Sequence, residues 1–165
     1  MEAADVLRLY DALAAEGVPV RIDGGWCVDA LLGGQTRDHP DLDIAVDRAH
    51  AGRLRELFAR WGYEVRTDRD TTDWSFVLTD GRGASADPVD VHVYAYDEHG
   101  VIVYGVEYPW GSLTGTGVLA GREVSCVAPE WMFAFKTAYP PREKDRADVR
   151  ALAAAYGFTV PESHR

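Results

Sequence analysis

Apolar residues recur every three or four positions in five stretches of the chain, a spacing typical of helices with one buried face. The predicted helices span residues 3–16, 25–32, 48–61, 129–138 and 142–156. Local signals mark their ends: Gly17 stops the first helix, Asp47 can cap the third, and Pro140 breaks the fourth. The last two helices form a C-terminal helical part from about residue 129 to residue 165.

Strands are predicted between these helices, where apolar and polar residues alternate. The predicted strands span residues 20–22, 42–46, 63–66, 73–79, 89–96, 101–104 and 122–127. The clearest is the run from Val89 to Tyr96, which puts valines on one face and Asp90 and His92 on the other.

Two stretches are predicted to lack regular structure. Asp80-Gly81-Arg82-Gly83 has the composition of a turn, and the glycine-rich stretch from Gly105 to Gly121 has that of a loop. Taken together, the elements indicate an α+β fold.

Length and composition indicate one folded domain. The chain has 165 residues, of which 47% are hydrophobic and 27% charged, and we expect residues 1–165 to form a single domain. Two cysteines, Cys27 and Cys126, are too few for a disulfide framework. The sequence has neither a basic leader nor an apolar run of about 18 residues, so we expect a cytoplasmic protein without membrane contact.

The net charge of −10 bears on the partner of the protein. Phosphate backbones bind basic surfaces, so this charge argues against a nucleic-acid polymer. It suits a small cationic substrate, and Asp87, Glu98 or Glu107 could bind the amines of such a substrate. Solubility explains the same charge equally well.

A glycine pair and a later pair of aspartates are the candidate site residues. Gly24 and Gly25 open a predicted helix, whose free N–H groups attract anions, so they form a candidate phosphate site. Asp41 and Asp43 lie two positions apart in a strand-like run, which points both carboxylates to one side. Mg²⁺ is usually held by carboxylates plus substrate phosphates, so the two pairs describe a nucleotide and metal site. The alternative interpretations are an ordinary turn for Gly24 and Gly25 and a solvated strand edge for Asp41 and Asp43.

The residues from Gly24 to Ile44 include, in order, Gly-Gly-Trp, Val-Asp-Ala-Leu-Leu-Gly and Thr-Arg-x-His-x-Asp-Leu-Asp-Ile. This string resembles the signature of small antibiotic nucleotidyltransferases, the lincosamide and aminoglycoside-2''-type enzymes, whose superfamily shares its catalytic fold with DNA polymerase β. The resemblance covers nearly the whole chain and implies the nucleotidyltransferase fold, with a mixed twisted sheet of about five strands flanked by helices. Cys27 departs from the pattern, because many relatives have glycine there.

In such an enzyme three further residues would complete the site. The resemblance implies that Asp90 is the third carboxylate, acting as a metal ligand or as the general base that takes the proton of the attacking hydroxyl. Arg37 and Lys136 would neutralise the triphosphate, Arg37 by a forked contact and Lys136 as a point charge.

For four other residues the structural interpretation is favoured. His92 could orient the substrate or move a proton, but a structural histidine is the preferred interpretation. Lys144 and Asp148 are four residues apart and are expected to form no more than a surface ion pair. Trp26 is expected to pack in the core.

The resulting hypothesis is that the protein transfers AMP from Mg²⁺-ATP to a hydroxyl of an aminoglycoside or lincosamide and releases pyrophosphate. Two alternatives stay open. The acceptor could be a protein, a tRNA or a metabolite, or the fold could be degenerate and bind a nucleotide or partner without catalysis. The resemblance also allows a homodimer, since family members of this size can complete the acceptor site from a second subunit.

Overall fold

The structure is a computed structural model that describes residues 1–81 and 87–165. Within these ranges the chain forms five α-helices and one short 3₁₀ helix. Their bounds are α1 Ala3–Ala15, α2 Gly24–Leu32, α3 Arg48–Arg60, α4 Pro129–Thr137, α5 Glu143–Tyr156 and the 3₁₀ helix Glu162–His164. Every predicted α-helix is present, with ends within one residue of the prediction. None of these helices is long and apolar enough to cross a membrane.

The strands form one mixed sheet that has eight members in the described part of the chain. They are β1 Val20–Ile22, β2 Leu42–Asp47, β3 Tyr63–Arg66, β4 Ser75–Asp80, β5 Val89–Tyr96, β6 Ile102–Gly105, β7 Gly115–Leu119 and β8 Arg122–Cys126. The order is β3-β4-β5-β2-β1-β8-β7, with β6 paired to β5. The α+β prediction is confirmed, and the sheet exceeds about five strands because short strands extend its margins. Arg82 and Gly83 of the predicted turn lie outside the described residues.

β2 lies at the centre of the sheet, antiparallel to β1 and parallel to β5. Its side chains suit this position, since Leu42, Ile44 and Val46 are at most 1% exposed. Asp43 interrupts this buried run with a carboxylate, which is costly to bury without a partner. The centre of the sheet therefore contains the first sign of a functional site.

The loop predicted from Gly105 to Gly121 is partly wrong, because Gly115–Leu119 forms β7. The glycines of this strand reflect close packing. A Cβ at Gly117 would lie 2.5 Å from the carbonyl carbon of Ala30 on α2, and one at Gly115 would lie 2.6 Å from the carbonyl oxygen of Val127. Glycine is therefore needed for the approach of neighbouring backbone.

Candidate active site

The in-register pairing of β2 with β5 brings the predicted carboxylates together. Asp43 is the direct neighbour of Asp90 across the two strands, and Asp41 lies immediately before β2. One cavity of about 360 Å³ is lined by all seven residues predicted for the site, namely Gly24, Gly25, Arg37, Asp41, Asp43, Asp90 and Lys136. The fold thus assembles residues that lie far apart in the sequence.

The glycine pair is required by the side chains that lie against it. Gly24 has a φ of +60°, and a Cβ built there would lie 2.0 Å from Asp43 Oδ2. A Cβ at Gly25 would lie 2.3 Å from His39 Nδ1 and 2.8 Å from Arg37 Nη2. Any larger residue would therefore displace parts of the site itself.

The start of α2 has the features of an anion site. Asp23 caps the helix, because its Oδ1 accepts a hydrogen bond from the Gly24 N–H at 2.7 Å. The next two amides, of Gly25 and Trp26, have no acceptor among the described residues. Free amides at the positive end of a helix dipole suit a phosphate group. The Trp26 side chain is buried in the core, as expected.

Gly24→Ala is expected to abolish activity and to destabilise the protein, since the new methyl group would displace the Asp43 carboxylate. Gly33→Ala is the matched control: Gly33 has a φ of +78° at the other end of α2, but nothing lies within 4 Å of its Cβ position. Backbone strain alone costs an alanine about 1 kcal/mol, so the control should stay active. Pyrophosphate release and thermal unfolding measure the two effects. Equal losses of activity and stability in both variants would contradict the explanation that Gly24 is needed because Asp43 lies so close to it.

The carboxylates of the cavity repel one another. Burial raises the pKa of Asp43 to about 7, and the charges of Asp23, Asp41 and Asp90 contribute to this rise. The pKa of Asp90 is also raised, first by burial and then by the charge of Asp41. A divalent cation would relieve this repulsion.

Mg²⁺ fits the donor chemistry of these residues, provided that other ligands complete its shell. No group of three or more His, Cys, Asp or Glu side chains in the ranges 1–81 and 87–165 is arranged to hold a metal by itself. Magnesium usually keeps water and takes one or two carboxylates plus substrate phosphates. Asp41 and Asp43 supply such carboxylates next to the anion site of α2.

One buried carboxylate holds both predicted phosphate-binding cations. Arg37 donates to Asp148 through Nε at 3.0 Å and Nη2 at 2.9 Å, and Lys136 Nζ lies 3.0 Å from Asp148 Oδ2. Burial opposes the shift, but the hydrogen bonds from Arg37 and the charge of Lys136 lower the pKa of Asp148. The expected surface pair with Lys144 is therefore wrong: Asp148 is 3% exposed and contacts cations from other elements.

Asp29, for which no role was predicted, fixes the segment between α2 and β2. Asp29 is fully buried, and its Oδ1 accepts hydrogen bonds from the N–H and Oγ1 of Thr36 at 3.1 and 2.5 Å. Its Oδ2 lies 2.5 Å from His39 Nε2. These contacts hold the segment that carries Arg37 over Gly25. An aspartate within an otherwise apolar helical run was the available signal.

Tyr108 is an aromatic residue that the sequence marks as able to stack on a base or to line a substrate pocket, but its contacts with Asp23 and His92 were not predicted. It is 2% exposed, and its hydroxyl lies 2.5 Å from Asp23 Oδ2 and 3.2 Å from His92 Nδ1. Although burial opposes the shift, hydrogen bonds from His92, Tyr108 and Gly24 lower the pKa of Asp23. The pKa of His92 is raised despite its burial, mainly through Asp23. The two groups therefore form a coupled polar pair beside the predicted carboxylates.

A second cavity, of about 140 Å³, adjoins the first. Its lining includes Asp68, Asp70 and Ser75, and it shares Asp90 and His92 with the first cavity. Asp90 therefore stands between two cavities that have different side chains.

The acidic residues that were expected to receive amines lie elsewhere. Asp87 pairs with the N-terminal amino group at 3.1 Å and lines a separate cavity near α1. Glu98 and Glu107 are exposed and line neither of the cavities that contain Asp90. This expectation is not supported by their positions.

Comparison with known proteins identifies the family. A 2''-aminoglycoside nucleotidyltransferase of Klebsiella pneumoniae is 30% identical over 132 residues, which are 76% of this chain and 69% of that protein. A lincosamide resistance protein of Staphylococcus haemolyticus is 26% identical over 156 residues, 90% of this chain and 92% of that protein. The crystal structure of a lincosamide antibiotic adenylyltransferase bound to lincomycin, 22% identical, superposes with a TM-score of 0.75 over 92% of this chain and 96% of that one.

The structural similarity shows that the nucleotidyltransferase fold covers nearly the whole chain. The sequence model of the aminoglycoside-2''-adenylyltransferase family matches residues 5–152. The resemblance inferred from the motif is thereby confirmed, and the chain belongs to the aminoglycoside-2''-adenylyltransferase family of nucleotidyltransferases.

Proposed function

We propose that the protein transfers AMP from Mg²⁺-ATP to a hydroxyl group of an aminoglycoside or lincosamide antibiotic and releases pyrophosphate. The observation that carries this proposal is that one cavity is lined both by the carboxylates Asp41, Asp43 and Asp90 and by the cations Arg37, Lys136, Arg142 and Lys144. The names of the two relatives, one acting on aminoglycosides and one conferring lincosamide resistance, support the choice of acceptor class.

The donor phosphates would lie against the cations that line the cavity. The free amides of Gly25 and Trp26 would bind phosphate oxygens, together with Arg37 and Lys136. Lys144 has no ion-pair partner among the described residues, so its charge is also available to the leaving pyrophosphate. A Mg²⁺ ion held by Asp41 and Asp43 would stabilise the negative charge that develops on the transferred phosphoryl group.

Asp90 would act on the acceptor hydroxyl. As the oxygen of the hydroxyl bonds to the α-phosphorus, its proton passes to the Asp90 carboxylate, and pyrophosphate leaves with the electrons of the broken P–O bond. A raised pKa makes Asp90 a better base than an ordinary aspartate. Asp90 could instead serve as a third metal ligand, which is the alternative role predicted from the sequence.

A cationic acceptor suits the second cavity. Asp68, Asp70 and Asp90 line it together with one cation, Arg66, which lies 3.3 Å from Asp68, and the whole chain carries a net charge of −10. Amines on the acceptor would be attracted to this cavity, while the triphosphate would be repelled from it.

ATP as donor and the free thiols of Cys27 and Cys126 both suit a cytoplasmic enzyme.

The test is incubation of the purified protein with Mg²⁺-ATP and a panel that includes tobramycin and lincomycin. Pyrophosphate release and the mass of each compound are then measured. We expect one drug to gain one adenylyl group, with no reaction when EDTA removes the metal. Adenylylation of a protein or metabolite, with every drug unchanged, would support the alternative acceptor class. Absence of both turnover and nucleotide binding would overturn the proposal.

A further inference from the structure

We infer that His92 binds the acceptor through its Nε2 atom, and that Tyr108 and Asp23 hold the imidazole in the orientation this requires. The inference rests on the proposed function, because it assigns a residue to the acceptor in that same site. It gives a role to a histidine for which the sequence favoured a purely structural interpretation.

The hydrogen bonds determine which nitrogen of His92 faces the protein. The Tyr108 hydroxyl has one proton, and its short contact of 2.5 Å with Asp23 Oδ2 assigns that proton to the carboxylate. His92 Nδ1, at 3.2 Å from the same hydroxyl oxygen and 3.6 Å from Asp23 Oδ2, must then be the donor. The Nδ1–H therefore points into the protein, and Nε2 is the nitrogen left for a ligand.

The surroundings of Nε2 differ from those of the other buried histidines. His39 places Nε2 against Asp29 at 2.5 Å, and His164 places its Nε2 at 3.2 Å from the carbonyl oxygen of Lys136. In the described ranges, His92 Nε2 has no hydrogen-bond partner. His164, which is 1% exposed, has both nitrogens paired, whereas His92 leaves Nε2 without a partner in a side chain that lines two cavities.

His92 also lies where an acceptor must lie. Its side chain is 26% exposed and lines both cavities, as does the neighbouring carboxylate of Asp90. A hydroxyl that gives its proton to Asp90 would stand at the junction of the two cavities. Nε2 can accept a hydrogen bond when the ring is neutral and can donate one when it is charged, so either form can hold a hydroxyl or amine of the acceptor.

Two variants of His92 separate this role from a structural one. The terminal nitrogen of asparagine lies close to the position of Nδ1, so His92→Asn keeps the bond to Tyr108 and loses Nε2. The terminal amide of glutamine lies close to the position of Nε2, so His92→Gln keeps a polar group for the acceptor. We expect His92→Asn to raise KM for the drug about tenfold and His92→Gln to raise it less than threefold. KM for ATP should change less than twofold in both variants.

Tyr108→Phe tests the positioning part of the inference. It removes the hydroxyl but keeps the aromatic packing, and we expect KM for the drug to rise on the order of threefold to tenfold. Adding Tyr108→Phe to His92→Asn should have no further effect on that KM, because the hydroxyl acts through the imidazole. Additive losses would overturn the positioning role of Tyr108.

The measurements use tobramycin or lincomycin, whichever the wild-type protein adenylylates. If His92→Asn matches the wild type, or retains more drug affinity than His92→Gln, the inference fails while the proposed function stands. If the wild type modifies neither drug, ¹⁵N NMR of the histidine ring decides the internal geometry. A Nδ1–H tautomer with an unpaired Nε2 supports the orientation, and a Nε2–H tautomer overturns it.

Discussion

Asp43→Asn is expected to abolish pyrophosphate release and, in the absence of Mg²⁺, to stabilise the folded protein. Activity is lost because the variant lacks a carboxylate that would hold the metal ion, and kcat/KM should fall about a thousandfold or more. Stability rises because the half-buried carboxylate lies close to Asp41 and Asp90, whose charges repel it but do not repel a neutral amide. The free energy of unfolding should increase by about 1–3 kcal/mol at pH 8.

The gain in stability depends on pH in a direction set by the raised pKa of Asp43. That pKa is about 7 in the folded protein and about 4 in an unfolded chain. The folded state therefore binds the proton more tightly, and wild-type stability is lost as pH rises from about 4 to about 7. The advantage of Asp43→Asn should be absent near pH 4 and complete at pH 8.

Asp47→Asn is the matched control. Asp47 lies on the same strand and caps α3 by accepting a hydrogen bond from the Ala49 N–H at 2.8 Å. Asparagine caps a helix about as well, so this variant should keep both stability and activity. Thermal unfolding without metal and pyrophosphate release with Mg²⁺-ATP are compared for both variants. A fully active Asp43→Asn protein would overturn the metal assignment, and an inactive but destabilised one would overturn the electrostatic explanation.

The elements of the fold were predictable where their signals are local. Helix ends lie near the predicted residues, because caps and breakers act within one turn. Gly17 and the proline pair follow the ends of α1 and α4, and the Asp47 cap begins α3. The alternation in Val89–Tyr96 likewise identified β5. Such patterns depend on the chain's own backbone and need no knowledge of distant partners.

β7 could not be predicted in the same way. Its glycines resemble those of a loop, and their reason is the close approach of Ala30 and Val127 from other elements. The in-register pairing of β2 with β5 is equally non-local, although it decides that Asp43 and Asp90 are neighbours. Alternation shows which side chains share a face of one strand but does not show which strands pair.

The same division applies to the candidate site. Gly24, Gly25, Asp41 and Asp43 lie in a contiguous motif and were found from it. Tyr108 is 85 residues away from Asp23, and Asp148 is 111 residues away from Arg37. Neither has a local pattern that distinguishes it from an ordinary aromatic or helical acid. These supporting residues emerge only when the fold brings their partners into contact.

Asp148→Asn is expected to weaken both the fold and the binding of ATP. The variant keeps the size of the side chain but leaves Arg37 without its paired carboxylate and Lys136 with only Asp145, at 3.7 Å. Removing one partner of a buried ion pair leaves the other charge without compensation, so the free energy of unfolding should fall by about 2–4 kcal/mol at pH 7. Because the pKa of Asp148 is lowered, its stabilisation is complete above the unfolded pKa of about 4, and the difference between the two proteins should shrink as pH falls below that value.

Asp11→Asn provides the comparison for this variant, since Asp11 pairs with Arg122 at 2.9 Å on the surface, and such pairs are worth less than about 1 kcal/mol. KM for ATP should rise about tenfold in Asp148→Asn, because the two cations lose the anchor that they share, and should stay unchanged in Asp11→Asn. A double-mutant cycle with Arg37→Gln then measures the interaction between Asp148 and Arg37. The expected coupling in the free energy of unfolding is on the order of 1.5–3 kcal/mol. A coupling near zero would mean that Asp148 stabilises the fold without positioning Arg37, and its effect on ATP would then require another cause.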